Sequence, residues 1–167
     1  MDDIRLRSSL LRHSQEVFST MLGLDVAEAA SNGTGAVAAD QEKRVVALIG
    51  FGGDYVGSGM INSSQDLACK MASAMLMAEY TEMNDDVRDA LGEISNMVFG
   101  NVKTELEEEL GPLKLSIPTV IVGSSFDVRS AANPSWVVVP LKLGEDEFEM
   151  RVCVARSTQP AHAPKHA

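Results

Sequence analysis

The segment from Met83 to Leu110, MNDDVRDALGEISNMVFGNVKTELEEEL, decides how the rest of the chain must be arranged. Val87, Ala90, Leu91, Ile94, Val98, Val102 and Leu106 recur every three or four residues, so at about 100° per residue they form one broad apolar arc on a helix. A helix with such an arc has to lie on an apolar layer. Asn84 or Asp85 is placed to cap its start, and Gly111-Pro112 ends it, because Gly accepts the left-handed backbone of a helix end and Pro cannot continue a helix.

The layer beneath is supplied by strands on both sides of this helix. Downstream, Leu113 to Val122, Trp136 to Leu143 and Glu147 to Ala155 have strand composition, and Gly144-Glu145-Asp146 joins the last two as a hairpin. Upstream, the apolar run Val45 to Phe51 marks a well-buried strand, and Gly52-Gly53-Asp54 turns it into Tyr55 to Ile61. A first helix is expected from Ile4 to Leu24, with Leu6, Leu10, Val17, Met21 and Leu24 on its inner side. A second begins after Ser63 or Ser64 and continues to about Tyr80, with Leu67, Met71, Met75 and Ala78 at helical spacing.

The helix-then-strands order occurs twice. Placing Glu16 on Glu93 also places Val17 on Ile94 and Gly23 on Gly100; a separate offset places Val45 on Val137, Phe51 on Leu143, Gly52 on Gly144 and Asp54 on Asp146. The identity is thin, yet the order suggests a duplicated α-β-β-β unit. The expectation is an α+β, two-layer fold with helices on one face of a mainly antiparallel sheet. Residues 1–156 are expected to form one domain, and residues 157–167, with Pro, His and Ala but no apolar period, a disordered tail.

Composition narrows the function classes. The chain has 167 residues, 45% of them hydrophobic, and a formal net charge of −10. Such a charge argues against nucleic acid or an anionic membrane as the partner, since both require a basic footprint. The absence of a signal-like apolar run near Met1 and of a stretch of about 20 apolar residues leads to an expectation of a cytoplasmic protein. Cys69 and Cys153 lie in apolar patterns without metal-ligand spacing and are expected to be core residues. No metal is assigned: Asp2-Asp3, Asp85-Asp86 and Glu107-Glu108-Glu109 are runs of adjacent carboxylates of the kind that water solvates. His13, His162 and His166 lack a nucleophile in their context. Met71, Met75, Met77, Met83 and Met97 are expected mainly as core filler, Trp136 as a core or interface anchor, and Gly50 to Gly53 as a hairpin, lacking the Lys and helix of a phosphate-binding loop.

The polar face of the 83–110 helix holds the candidate site. Asp89, Glu93, Asn96 and Gly100 fall within a stripe of roughly 40 to 60° opposite the apolar arc. A carboxamide has no useful acid or base chemistry at neutral pH, but its fixed acceptor and two donors can hold a water in line with a phosphoryl group whose chemistry is supplied elsewhere. A carboxylate one turn away can dock a Lys, and a glycine in the same stripe lets a second protein come close. Gly92, Asn96 and Gly100 are all poor helix formers inside one helix, a departure from helix-forming composition that a functional face would explain.

The run Asp89-Ala-Leu-Gly-Glu-Ile-Ser-Asn-Met-Val-Phe-Gly-Asn101 resembles the E-x-x-N helix of the CheC/CheX/FliY phosphatases, and the longer match is to CheX. Glu16 to Leu24, Lys103 to Leu106 and Ser116 to Ile121 extend the likeness over about residues 10 to 155. The resemblance implies an internally pseudo-symmetric fold, a homodimer formed through the sheet, and a phosphatase acting on a phosphorylated CheY-like response regulator. Carried over, Glu93 resembles the acidic residue that meets the regulator's Lys, and Asn96 resembles the residue that positions the attacking water; Asp89 and Gly100, in the same outward stripe, are expected at the partner contact. The aspartyl phosphate and Mg²⁺ belong to the regulator, so no cofactor of its own is implied. In the first helix the matching position reads Glu16-Val17-Phe18-Ser19, without the Asn, which implies one site per chain. The alternatives are a non-catalytic response-regulator binding module and a scaffold dimer.

Overall fold

The computed structural model describes residues 2–30, 43–124 and 135–157. In chain order the elements are α1 (Asp3–Val17), which continues into a π-helical turn (Phe18–Leu22), β1 (Ala27–Glu28), β2 (Arg44–Gly53), β3 (Tyr55–Ser64), α2 (Gln65–Leu76), α3 (Asp85–Leu110), β4 (Leu113–Leu115), β5 (Thr119–Gly123), β6 (Val137–Leu143) and β7 (Asp146–Arg156). The strands form one antiparallel sheet in the order β1-β6-β7-β3-β2-β4, with β5 also paired to β2. The helices pack on one face, as the α+β expectation requires.

The duplication is visible in the topology. One unit is α1-β1-β2-β3 and the other is α3 with β4 and β5, then β6 and β7. Exchanging the two units reverses the strand order onto itself, with β3 and β7 paired at the pseudo-axis. Helix α2 stands outside this symmetry. The turns at Gly53-Asp54 and Gly144-Glu145 join the expected hairpins.

Alternation along the strands sends Val45, Ala47, Ile49 and Phe51 of β2, Ile61 of β3, Val137, Val139 and Leu141 of β6 and Phe148, Met150 and Val152 of β7 to the helical side. There β2 and β3 meet the α3 arc while β6 and β7 lie against α1, and all of these residues are buried. Two aromatic contacts tie the layers together: Phe18 stacks on Phe148 with centroids 5.5 Å apart. Phe99 of α3 meets Phe51 edge-on at 6.4 Å. Each such pair contributes about 0.5–1.5 kcal/mol beyond its burial. Cys69 and Cys153 are buried thiols without a disulfide, as expected.

Four local expectations are corrected. The strand expected over Leu113–Val122 is two strands, because Pro118 has no N–H for the ladder and Ser116-Ile117-Pro118 leaves the sheet between β4 and β5. The first helix widens at Phe18, so after Val17 and Phe18 it is Leu22 that returns to the core; Met21 is 54% exposed instead of buried. Helix α2 ends at Leu76, with Met77 in the left-handed conformation, so Ala78 lies beyond it and exposed. Of the methionines expected as filler, Met71 is fully buried but Met77 is 91% exposed. The expected tail lies, from residue 158, outside the described residues.

Candidate functional site

Helix α3 is fixed at both ends and along its inner face. Asn84 caps it by accepting from the Val87 N–H at 2.9 Å, and Asp85 and Asp86 in the first turn suit the positive end of the helix dipole. At the far end Gly111 takes φ +76°, and Glu107 accepts from the Leu113 N–H at 2.8 Å and from Lys103 at 2.7 Å, tying the helix end to β4. On the α1 side, Glu105 receives hydrogen bonds from Ser9 and Arg12 and pairs with His13 at 3.0 Å, and Arg5 pairs with Glu109. Burial alone would raise the Glu105 carboxyl, but the hydrogen bonds from Ser9 and His13 and the charge of Arg12 outweigh it, and its pKa lies below the ordinary value.

Val87, Ala90, Leu91, Ile94, Val98, Val102 and Leu106 are all buried, as their spacing requires. Asp89, Glu93 and Asn96 are exposed and Gly100 is half-buried. Neither Glu93 nor Asn96 makes a hydrogen bond or ion pair with another described residue. The four residues share one outward stripe on a helix whose backbone is immobilised by its buried side, so a carboxylate and a carboxamide one turn apart are held toward solvent with their hydrogen-bonding capacity unused. Asp85, Asp86 and Asp89 make the approach acidic, relieved by Arg88, which pairs with Asp85 at 2.7 Å. A Cβ built on Gly100 would touch only Leu115 Cδ1, at 4.0 Å, so internal packing does not require a glycine there.

The pseudo-symmetric position on α1 differs in shape as well as in residue. Glu16 is exposed, but Ser19 lies in the π turn, where the spacing of the outward side chains is no longer that of an α-helix. The segment Ser116-Ile117-Pro118 has strand composition but runs beside α3. Pro118 Cβ would lie 3.6 Å from a Cβ at Gly92. The proline was the signal that could have revealed it. Among the described residues no group of three or more His, Cys, Asp or Glu side chains is arranged to hold a metal ion, and no helix is long and apolar enough to cross a membrane.

Comparison with known proteins gives a consistent result. The family model described as "Chemotaxis phosphatase CheX" matches residues 45–142. The CheY-P phosphatase CheX of Thermotoga maritima is 28% identical over 114 residues, which is 66% of this chain and 71% of that protein. Among solved structures, the chemotaxis protein CheX from Vibrio vulnificus superposes with a TM-score of 0.76 at 25% identity, covering 90% of this chain and 99% of that one. The CheX of the CheX-CheY-BeF3-Mg complex from Borrelia burgdorferi shares the fold, with a TM-score of 0.73 at 21% identity and coverage of 93% and 99%. With more than half of its length matched by the family model and the same fold in these relatives, the chain belongs to the CheX family of chemotaxis phosphatases.

Proposed function

We propose that this protein hydrolyses the aspartyl phosphate of a CheY-like receiver domain, with Asn96 orienting the attacking water and Glu93 docking a Lys of the receiver. The observation that carries the reading is the unpaired Glu93/Asn96 couple on the outward face of a helix whose opposite face is core. A relative named as a CheY-P phosphatase and another solved together with CheY and Mg support the choice of partner.

The chemistry divides between the two proteins. The receiver supplies the phosphoryl group on its carboxylate and the Mg²⁺ that neutralises the phosphoryl oxygens. Asn96 enters beside them, and its carbonyl oxygen accepts a hydrogen bond from a water while its amide N–H₂ donates to a phosphoryl oxygen, which holds the water in line with the P–O bond to be broken. Water oxygen bonds to phosphorus as that bond breaks, the electron pair returns to the receiver carboxylate, and both hydrogens of the water leave with inorganic phosphate. Asn96 takes no proton, as its lack of a titratable group requires.

The test compares loss of phosphate from a phosphorylated receiver in the presence of wild type and of Asn96→Ala. A water-positioning amide is expected to be worth about 10²- to 10³-fold. Equal rates with receiver binding retained would select the non-catalytic binding module, and failure of any receiver to bind would leave the scaffold dimer. Dimerisation is proposed through the helix-free face of the sheet, where Arg44, Asn62, Glu149 and Arg151 form one hydrogen-bonded row; sedimentation equilibrium of an Arg151→Glu variant against wild type tests it.

A further inference from the structure

Isoleucine 117 is 88% exposed, among the largest apolar exposures of the described residues, and its place in the fold is specific. The segment that carries it is bounded by two contacts with α3. Leu115, just before it, comes to 4.0 Å from a Cβ built on Gly100, and Pro118, just after it, to 3.6 Å from a Cβ built on Gly92. Gly92 and Gly100 are eight residues apart, about 12 Å along the helix at 1.5 Å per residue. Asn96 is the midpoint. A three-residue segment running between these contacts therefore brings Ile117 abreast of Asn96, on the flank of α3 away from α1.

The segment is also held rigid. Ser116 donates its N–H to the Gly50 carbonyl at 2.9 Å and accepts the Gly50 N–H on its hydroxyl at 2.8 Å. The same hydroxyl donates to the Ile117 carbonyl at 3.0 Å. Pro118 restricts the backbone on the other side. An exposed isoleucine is ordinary in itself. One fixed on a hydrogen-bonded shoulder, level with a polar pair that has no internal partner, is an apolar contact prepared before any partner arrives, so little side-chain and loop ordering is left to oppose binding.

We propose that Ile117 is the apolar anchor of the receiver-binding surface, covered by the docked receiver next to the Glu93/Asn96 stripe. This rests on the function proposed above and assigns it a division of labour: Ile117 holds the receiver, Glu93 orients it by charge, and Asn96 acts on the reacting water. The continuity of Ile117 with the stripe identifies the occupant, since a receiver that presents its phosphorylated pocket to Asn96 also approaches the exposed side chain at the same level of the helix.

The experiment measures, by titration with a beryllofluoride-activated receiver and by steady-state phosphate release, the affinity and the saturated rate of wild type, Ile117→Ser, Ile117→Leu and Asn96→Ala. Ile117→Ser is expected to weaken binding about tenfold, equivalent to about 1.4 kcal/mol, with the saturated rate within twofold of wild type, an unchanged melting temperature and the same loss at low and high salt. Ile117→Leu should keep most of the affinity. Unchanged affinity in Ile117→Ser while Asn96→Ala loses turnover would overturn the anchor and leave the proposed function standing. Weakened binding in Ile117→Ser with a normal rate in Asn96→Ala would sustain the anchor and remove the catalytic reading. A wild type that binds no receiver would overturn both.

Discussion

Replacing Gly59 by Ala probes how α3 is seated on the sheet. Gly59 is in β3, where glycine is ordinarily a liability and alanine an improvement of about 0.5–1 kcal/mol. Here a Cβ would lie 2.4, 2.6 and 2.7 Å from Cδ1, Cε1 and Cγ of Phe99, whose ring is fully buried and held edge-on against Phe51. Ordinary carbon contacts begin near 3.4 Å, so about 1 Å of movement is needed from a ring with core on every side. Overpacking of this kind costs about 1–3 kcal/mol, which outweighs the propensity gain. A net loss of about 1–2 kcal/mol should lower the melting temperature of a chain of this length by about 2–8 °C. Urea denaturation of wild type, Gly59→Ala, Phe99→Leu and the double variant would isolate the contact, with the double variant more stable than the sum of the single losses by about 1 kcal/mol or more. Because Phe99 is one turn after Asn96, the same variant should also slow phosphate release. A Gly59→Ala midpoint equal to wild type, or losses that simply add, would refute the claim that this glycine sets the approach of α3.

Three further outcomes follow from the same geometry. Gly100→Ala should stabilise the fold by about 0.5–1 kcal/mol in thermal melts, since its new Cβ meets only Leu115 at contact distance, whereas Gly100→Leu should fold normally and slow receiver dephosphorylation; an undiminished rate in the leucine variant would show that no partner comes close there. Glu105, with its carboxyl below the usual value, stabilises the fold above the unfolded carboxylate pKa of about 4.3, and that contribution is lost as pH falls through its lower folded value. Glu105→Ala should therefore lose about 1–3 kcal/mol at pH 7, where it strands the buried Ser9 hydroxyl, and should show less further loss than wild type when denaturation is repeated at pH 3. Glu93→Lys should weaken receiver binding at low salt through like-charge contact, with the difference from wild type shrinking at high salt; a salt-independent difference would argue against an exposed charge pair.

The legible parts of this protein are those whose causes are local. The buried arc of α3, its Asn84 cap, its stop at Gly111, the Ser64 cap of α2 and both hairpins follow from residues within a turn or two of one another. Even the duplication, faint in residue identity, was legible as an order of elements. Misreadings arose where a distant contact or an irregular turn overrode the local pattern. Met21 fits a regular helical stripe, yet the π turn gives its place to Leu22. Leu113 to Val122 has strand composition throughout, yet Pro118 cannot serve the ladder and the Ser116 hydroxyl, 66 residues from Gly50 in the chain, takes the Gly50 N–H in place of a backbone carbonyl.

For function, the shared outward face of Glu93 and Asn96 is already written in the order of residues, because helical periodicity is a property of neighbouring residues and the apolar arc leaves those positions no other direction. What stands beside them depends on how the whole chain folds. That Ile117 comes level with Asn96, that Gly59 admits Phe99 and that Glu105 fastens α3 to α1 depend on groups brought together from distant parts of the chain, and packing between remote segments is set by the sheet order that the whole chain adopts, which no local pattern encodes.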